Sequence, residues 1–205
     1  MEKQKIIVRM ADTRDAQEML DIYEPYVKET AITFEYEPPT LEEFCGRIKR
    51  TLEKYPWLAA VDGERIAGYS YVSPFKDRAA YDWAVETTIY IRPEYKGQGI
   101  GKLLYGKLEA ILKEQHILNL NACIVYPHPE SIAFHEKMGY KINAHFHKCG
   151  YKFDTWHDMI WMEKMLGEHP TQPMSILPVG EVHTDRILIC EQSGQAYINS
   201  QAPHS

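Results

Sequence analysis

Three glycines at alternate positions, Gly97, Gly99 and Gly101, form the segment with the clearest chemical meaning in the sequence. They follow a strand-like run and precede a helix-like run, so successive backbone N–H groups and the helix dipole would converge on an anion such as a phosphate. The spacing is not that of a Walker A loop, and Leu103 stands where Ser or Thr would hold magnesium. The pattern G-x-G-x-G also differs from the Rossmann fingerprint. The segment therefore predicts a phosphate-binding turn of another kind.

A single carboxylate interrupts the strand-like run before this turn. Residues alternate through Val85–Ile91, with Val85, Thr87, Ile89 and Ile91 on one face and Glu86, Thr88 and Tyr90 on the other. A glutamate is costly to bury on a strand otherwise rich in Val, Ile and Thr. Glu86 therefore either accepts a proton in a reaction, or is paired with an arginine or capped by hydroxyl groups.

Hydrophobic periodicity, caps and turns predict the elements that must position these residues. Strands are predicted at 5–10, 57–61, 65–72, 85–91, 118–125, 140–147 and 157–165, with a hairpin turn at Asp62-Gly63. Helices are predicted after an Asp12 N-cap, from a Thr40 capping box to about Tyr55, from the glycine turn to about Gln115, and at 129–138 before Gly139.

Composition excludes several classes of protein. The 205 residues are 44% hydrophobic and 25% charged, which is ordinary for a folded globular protein. The net charge is −6 and the sequence has no long Lys/Arg run, so it offers no basic surface that would attract the phosphates of a nucleic acid. No stretch approaches the run of about 20 apolar residues that a membrane helix needs, and the charged N-terminal thirty residues are unlike a signal peptide. We therefore expect a cytoplasmic protein with no nucleic-acid or membrane partner.

Specific segments resemble one known family. The run Lys96-Gly97-Gln98-Gly99-Ile100-Gly101 resembles the R/Q-x-x-G-x-G/A signature of the GNAT acetyltransferase superfamily, with Lys in place of the usual Arg or Gln. Other segments resemble its phosphinothricin and methionine sulfoximine N-acetyltransferase branch: Pro74–Trp83, Val85–Ile91, Ser131–Tyr140, Gly150–Phe153 and Trp156–Asp158. The resemblance spans about residues 5–165. It implies an α/β (α+β) GNAT fold, in which helices flank a central, mixed, mostly antiparallel twisted sheet.

The resemblance also implies a cosubstrate and the residues that hold it. The cosubstrate is acetyl-CoA, and no metal is expected. In this family the strand corresponding to Ile89, Tyr90 and Ile91 hydrogen-bonds the pantetheine arm. The pyrophosphate is bound by the turn that corresponds to Lys96, Gly97, Gln98, Gly99, Ile100, Gly101 and Lys102.

Three residues are expected to take part in catalysis. The family's pattern makes Glu86 the general base that removes a proton from the amine. It assigns catalysis to His135, which could instead be a helix histidine that only packs or hydrogen-bonds. Tyr140 stands where many relatives place a tyrosine near the thioester sulfur, but it could equally be a core residue. A backbone N–H near Ile89 is expected to meet the oxyanion.

Substrate selection is expected from two segments. Lys76, Arg78, Tyr81 and Trp83 precede the catalytic strand, where cations could hold an acidic group beside aromatic walls. Phe34 and Glu35 resemble residues of the same pocket, with Glu35 meeting the amino group. His128 stands where many relatives have an Asn that contacts CoA. His145, His147, Cys149 and His157 suggest zinc, but the expected chemistry needs no metal.

The chain is predicted to divide near Gly167. Residues 1–167 would form the acetyltransferase domain, and 168–205 a partly ordered extension with a possible hairpin at Ser193-Gly194. A homodimer is implied by the resemblance, and Arg186–Cys190 could extend it by adding to a neighbour's sheet edge. The predicted function is N-acetylation of a small amino-acid-like substrate. The alternatives are N-acetylation of another small amine or amino acid, or a non-catalytic acyl-CoA-binding module.

Overall fold

A seven-stranded sheet with the order β1-β2-β3-β4-β5-β7-β6 organises the computed structural model, which describes residues 6–189. Its strands are β1 (Ile7–Met10), β2 (Trp57–Asp62), β3 (Arg65–Pro74), β4 (Ala84–Ile91), β5 (Asn119–Tyr126), β6 (Lys141–Lys152) and β7 (Thr155–Met165). The helices are α1 (Ala16–Glu29), α2 (Leu41–Leu52), α3 (Ile100–Glu114), α4 (Pro129–Lys137) and α5 (Thr184–Ile189). The predicted mixed, mostly antiparallel sheet flanked by helices is confirmed, since among the strands of residues 6–189 only β4 and β5 pair in parallel.

Helices cover both faces of the sheet and give the protein two apolar cores. On one face α1 and α2 bury Met19, Val27, Phe44 and Ile48 against Trp57 and Tyr69. On the other face α3 buries Leu104, Leu108 and Ile111 against Leu58, Val72 and Val85. The predicted capping box at Thr40 is present, with Glu43 as its partner, although α2 ends at Leu52 rather than near Tyr55. Within residues 6–189 no helix combines the length and apolar character needed to cross a membrane.

The parallel strands β4 and β5 separate after only three residue pairs. Pairing begins at Ala84 with Asn119 and ends at Glu86 with Asn121. From Thr87 to Ile91, β4 continues to pair with β3 on its other side, and β5 continues to pair with β7. The two strands therefore form a fork, which is open between residues 87–91 of β4 and 122–126 of β5.

The β6–β7 hairpin is longer than predicted. The predicted strands stopped at His147 and resumed at His157, whereas the observed strands meet in a turn at Phe153 and Asp154. Both turn residues have positive φ, 51° and 56°, which the sequence does not signal because neither is glycine. The register also shifts between Phe146 and Gly150. An interrupted hydrophobic pattern at this irregularity explains the predicted break.

Residues 168–189 pack against the body of the protein. The buried Gln115 side chain donates from Nε2 to the carbonyls of Lys54 and Leu177, at 2.8 and 2.7 Å. Val179 is buried in the core of the α3 face, and its N–H donates to Lys54. Residues 177–179 are therefore held to the body of the protein by hydrogen bonds and by burial. The division of the chain near Gly167 stays a prediction.

The expectation that Arg186–Cys190 adds a strand to a neighbouring sheet is wrong for the described residues. Thr184–Ile189 is helical, and the Lys107 Nζ group on α3 donates to the carbonyl of Ile187 at 2.8 Å. The apolar run that suggested a strand packs instead against the α3 core through Ile187 and Leu188. The predicted Ser193-Gly194 hairpin lies outside the described residues.

Gln115 is the residue whose loss should loosen this C-terminal segment most directly. We expect Gln115→Ala to lower the free energy of unfolding by about 1–3 kcal/mol, because the Leu177 carbonyl loses its side-chain donor. Urea unfolding of the full chain measures the change. Gln17→Ala, at an exposed position on α1, is the control and should have little effect. Equal stability of Gln115→Ala and wild type would contradict this account of the segment.

Candidate active site

A cleft of about 300 Å³ opens at the fork between β4 and β5. One wall is β4 from Glu86 to Tyr90, and the other is β5 from Ala122 to Val125. The lining also includes the loop 32–35, Arg47 of α2, Tyr105 of α3, and His135 of α4. The separation of two strands therefore creates a concave site inside the sheet itself.

Glu86 lies at the last paired position of the fork and lines the cleft. Burial raises the pKa of its carboxyl above the ordinary value of 4.5, and the positive charge of Lys76 opposes this shift. Within residues 6–189 neither an arginine nor a hydroxyl group bonds to this carboxylate, so the structural alternative for Glu86 finds no support there. A half-buried carboxylate with a raised pKa is a suitable proton acceptor.

The glycine turn adopts the conformation that an anion site requires. Gly97 and Gly99 have φ of 75° and 84°, in the left-handed region that favours glycine. Gly99 is the N-cap of α3, and the backbone N–H groups of residues 97–102 have no acceptor within the described chain. Lys96, Gln98 and Lys102 are exposed around the turn. These unpaired N–H groups at a helix N-terminus form a place for a phosphate group.

Gly101 serves packing as well as the turn. A Cβ at this position would lie 3.0 Å from Cε2 of Phe134, on α4. The absence of a side chain thus lets α3 begin directly against α4. Ile100, beside it, is buried in the core, while Ile91 packs at the core's edge.

His135 and Tyr105 form a hydrogen-bonded pair on the wall of the cleft. His135 Nδ1 lies 2.8 Å from the Ser131 carbonyl, and its Nε2 lies 3.2 Å from the Tyr105 hydroxyl. A carbonyl can only accept, so Nδ1 carries the proton, and in the neutral ring Nε2 accepts from Tyr105. Burial lowers the pKa of His135 below 6.5, which favours this neutral form. Tyr105 was not among the residues selected from the sequence, where it reads as one more core position of a helix.

Tyr140 lies behind this pair rather than at the surface of the cleft. Its side chain is buried, and its hydroxyl lies 3.4 Å from Oγ1 of Thr87. Burial raises the pKa of the Tyr140 phenol far above its ordinary value. In the described chain it does not line the cleft, which agrees with the alternative that Tyr140 is a core residue.

The structure does not bring Lys76, Arg78, Tyr81 and Trp83 into the cleft formed by the described residues. Lys76 and Arg78 are exposed, and Tyr81 packs against Phe75. The Trp83 indole donates to the Met174 carbonyl at 2.7 Å, so it anchors the C-terminal segment. Lys76 influences the site through its charge near Glu86.

Besides Glu86, the charged residues that line the cleft within the described chain are Glu35 and Arg47, near Phe34. Arg47 NH1 and Glu35 Oε1 lie 2.7 Å apart. Glu35 Oε2 is buried and has no hydrogen-bond partner within the described residues. Arg47 was missed in the sequence because it occupies an ordinary polar position on α2, and only the fold turns that position toward the loop 32–35.

The tip of the β6–β7 hairpin fixes this loop. The buried Lys152 Nζ group donates to the carbonyls of Val27 and Thr33, at 2.7 and 2.8 Å. The Tyr36 hydroxyl donates to the Tyr151 carbonyl at 2.7 Å. A Cβ on Gly150 would lie 2.4 Å from the Phe34 ring, so only glycine admits that ring. The hairpin thereby holds Phe34 and Glu35 at the cleft.

The remaining histidines have other partners. His128 Nδ1 accepts from the Ser131 N–H at 3.2 Å and caps α4, while its ring lines the cleft. His145 Nε2 and His147 Nδ1 each lie 2.9 Å from Oδ2 of Asp158. Among residues 6–189 these three side chains lie close enough to share an ion, whereas the group with Cys149 and His157, for which no metal was expected, does not. Hydrogen bonds from the histidines to the carboxylate already account for their proximity.

Comparison with known proteins gives a consistent result. Residues 8–161 match the model of the family described as acetyltransferase (GNAT) domain. A phosphinothricin N-acetyltransferase of Streptomyces viridochromogenes is 32% identical over 181 residues, covering 88% of this chain and 98% of that protein. An L-methionine sulfoximine/L-methionine sulfone acetyltransferase of Salmonella typhimurium is 27% identical over 165 residues, covering 79% and 95%.

A solved structure has the same architecture. It is a GNAT superfamily phosphinothricin acetyltransferase from Sinorhizobium meliloti in complex with AcCoA, with a TM-score of 0.80 and 32% identity. The match covers 85% of this chain and 96% of that one.

The raised pKa of Glu86 predicts a pH-dependent effect on stability. The buried carboxylate opposes folding only when it is ionised, so Glu86→Gln should be more stable than wild type at pH 8. Because both folded and unfolded chains are protonated well below the ordinary value of 4.5, the advantage should disappear as the pH falls to about 4. Urea unfolding across this pH range measures it. Glu136→Gln, on the exposed side of α4, should show no such trend, and a destabilised Glu86→Gln at pH 8 would contradict the prediction.

Proposed function

The chain belongs to the GNAT acetyltransferase family, and on that premise we propose that it acetylates the amino group of a small amino-acid-like substrate, using acetyl-CoA. The proposed substrates are of the phosphinothricin or methionine sulfoximine type, as in the relatives named above. The observation that carries the proposal is the fork, at whose base the Glu86 carboxylate borders an open cleft with no hydrogen-bond partner among residues 6–189.

The residues present fit acetyl-CoA. The unpaired N–H groups of residues 97–102 would hold its pyrophosphate, and the strand from Ile89 to Ile91, released from β5, would hold its pantetheine arm. Acetyl-CoA supplies a thioester whose acetyl group is susceptible to attack by an amine. The reaction forms the C–N bond and breaks the C–S bond. The amine loses a proton, and the departing CoA thiolate takes one up, so that CoA leaves as its thiol.

Glu86 has the first of these tasks. An amine attacks only as the free base, so its ammonium form must lose a proton, and the Glu86 carboxylate accepts it directly or through water. Burial raises the pKa of Glu86 toward the pH at which the enzyme would work, and this favours the proton transfer. Cys123 lines the same cleft, but burial raises the pKa of its thiol to about 12. A protonated thiol is a poor nucleophile, which supports direct transfer without an acetyl-cysteine intermediate.

His135 has a different task from the one predicted. As a neutral imidazole whose Nε2 accepts from Tyr105, it orients the Tyr105 hydroxyl on the cleft wall. In this proposal the single proton of the Tyr105 hydroxyl points to His135, so the pair presents the Tyr105 hydroxyl oxygen at the cleft wall, and Tyr140 lies behind it next to Thr87.

Glu35 and Arg47 are suited to a zwitterionic amino acid. The unsatisfied Glu35 Oε2 would accept from the ammonium group, while guanidinium donors of Arg47 that Glu35 does not use would bind an acidic group. In this proposal Arg47 binds the acidic group of the substrate, a role that the sequence analysis expected of Lys76 and Arg78. Lys76 and Arg78, exposed in the described chain, are not needed for it.

Two alternatives are retained. The same Glu86 and cosubstrate would serve an acetyltransferase that acts on another small amine or amino acid. A non-catalytic acyl-CoA-binding module is disfavoured by the open cleft and by the unpartnered Glu86 at its base. Homodimerisation stays a prediction from the resemblance, and a cytoplasmic location stays a prediction from composition. Detoxification would be a consequence of the proposed acetylation.

The central prediction concerns Glu86→Gln. We expect this variant to lose about a hundredfold or more in kcat/KM, the range for a lost general base, with little change in acetyl-CoA binding. Release of CoA thiol is followed with phosphinothricin, methionine sulfoximine, methionine sulfone, ordinary amino acids and polyamines. Glu136→Gln is the matched control.

The panel separates the alternatives. Turnover confined to ordinary amino acids or polyamines would overturn the substrate class but leave the reaction. Binding of acetyl-CoA without turnover of any amine would favour the binding module. Full activity of Glu86→Gln would remove Glu86 from the mechanism.

A prediction about Arg47 tests substrate recognition. Arg47→Gln should raise the KM of the best amino-acid substrate about tenfold or more, with a smaller change in kcat, because a charge-assisted contact to the acidic group is lost. Steady-state kinetics measure both constants. Arg50→Gln, exposed one turn further along α2, should behave as wild type. An unchanged KM for Arg47→Gln would rule out this role.

A further inference from the structure

A second cavity, of about 700 Å³, lies between α3 and the short helix α5. It begins at Gly99 of the glycine turn and continues along α3, where Gly106 and Ala110 leave room for it. Arg186 and Ile187 of α5 form its other side. The cavity therefore starts at the predicted pyrophosphate site, and its other side is formed by a segment beyond residues 8–161, the part of the chain that matches the family model.

The charged side chains that line this cavity are all cations. They are Lys102, Lys107 and Arg186, and no carboxylate is among the lining residues of the described chain. Lys102 and Arg186 have no ion-pair partner within residues 6–189. Three positive charges thus border one cavity on a chain whose net charge is −6. Such a cluster next to unpaired backbone N–H groups is suited to an anion with more than one phosphate.

The position of Arg186 is fixed by the rest of the C-terminal segment. Val179 is buried, Leu177 is bonded to Gln115, and Lys107 donates to the carbonyl of Ile187. Lys107 thus ties α5 to α3 while its own ammonium group borders the cavity.

We propose that Arg186, with Lys102 and Lys107, binds the 3′-phosphate of the nucleotide half of CoA. The inference rests on the use of acetyl-CoA proposed above. CoA carries its 3′-phosphate on the ribose that adjoins the pyrophosphate, so a nucleotide whose pyrophosphate occupies the glycine turn has its next anionic group near Gly99. The C-terminal segment then completes the cosubstrate site of this chain.

Binding of CoA and of 3′-dephospho-CoA to the full-length protein tests the proposal by titration calorimetry. Wild type should prefer CoA. Arg186→Gln should weaken CoA binding about tenfold, the size expected for one charge-assisted hydrogen bond, and leave dephospho-CoA binding unchanged. Arg186→Lys should retain part of the preference, because it keeps the charge. Arg50→Gln is the exposed-arginine control, and thermal melting checks that each variant is folded.

The outcomes distinguish a failure of the proposed use of acetyl-CoA from a failure of the proposed role of Arg186. If wild type binds neither compound, the proposed use of acetyl-CoA fails, and this inference fails with it. If wild type binds and turns over acetyl-CoA but Arg186→Gln keeps its preference for CoA, only the inference about Arg186 is overturned. An equal loss of affinity for both compounds would also overturn it, since Arg186 would then not recognise the 3′-phosphate.

Discussion

The end of pairing between β4 and β5 is the constraint on which the rest of the site depends. Two parallel strands that stop pairing must satisfy their backbone groups in another way. Here the side chains beside the last pair do so, since Asn121 Nδ2 donates to the Val85 carbonyl at 3.2 Å and Thr87 Oγ1 donates to the Asn121 carbonyl at 3.1 Å. The fork is therefore stabilised by its own polar residues, and it leaves Glu86 at its base and an open edge of β4 beyond it.

Thr87 connects the fork to the polar groups behind it. Its hydroxyl lies 3.3 Å from that of Tyr105 and 3.4 Å from that of Tyr140. Tyr105 in turn bonds to His135, whose Nδ1 bonds to the Ser131 carbonyl of its own helix. A buried network in which each group has a partner is rigid and costs little, whereas one left partly unsatisfied would be destabilising. The Ser131 carbonyl thus holds the His135 proton on Nδ1, while Thr87, which bonds across the fork, lies beside the hydroxyl groups of Tyr105 and Tyr140.

Local patterns in the sequence were sufficient for the elements and for part of the site. The Thr40 capping box, the Asp62-Gly63 turn, Gly139 after α4 and the alternation around Glu86 are each decided by neighbouring residues, and the structure has all of them. Arg47, Tyr105 and the cavity beside Arg186 depend instead on which helix faces which loop. Their residue types are ordinary at their positions, so no local pattern indicates them. The same reason explains Trp83, whose indole could bind a substrate but bonds to Met174.

Contacts distant in sequence also account for the length of the β6–β7 hairpin. The loop 32–35 has no regular structure of its own, yet it must hold a charged pair at the cleft. Lys152 provides the link, because a buried ammonium group must be hydrogen-bonded or paired, and here its acceptors are the carbonyls of Val27 and Thr33. A hairpin that ended at His147 would not reach them. The extra residues of β6 therefore serve the cleft, through Lys152 and through Gly150, where the absence of a Cβ admits Phe34.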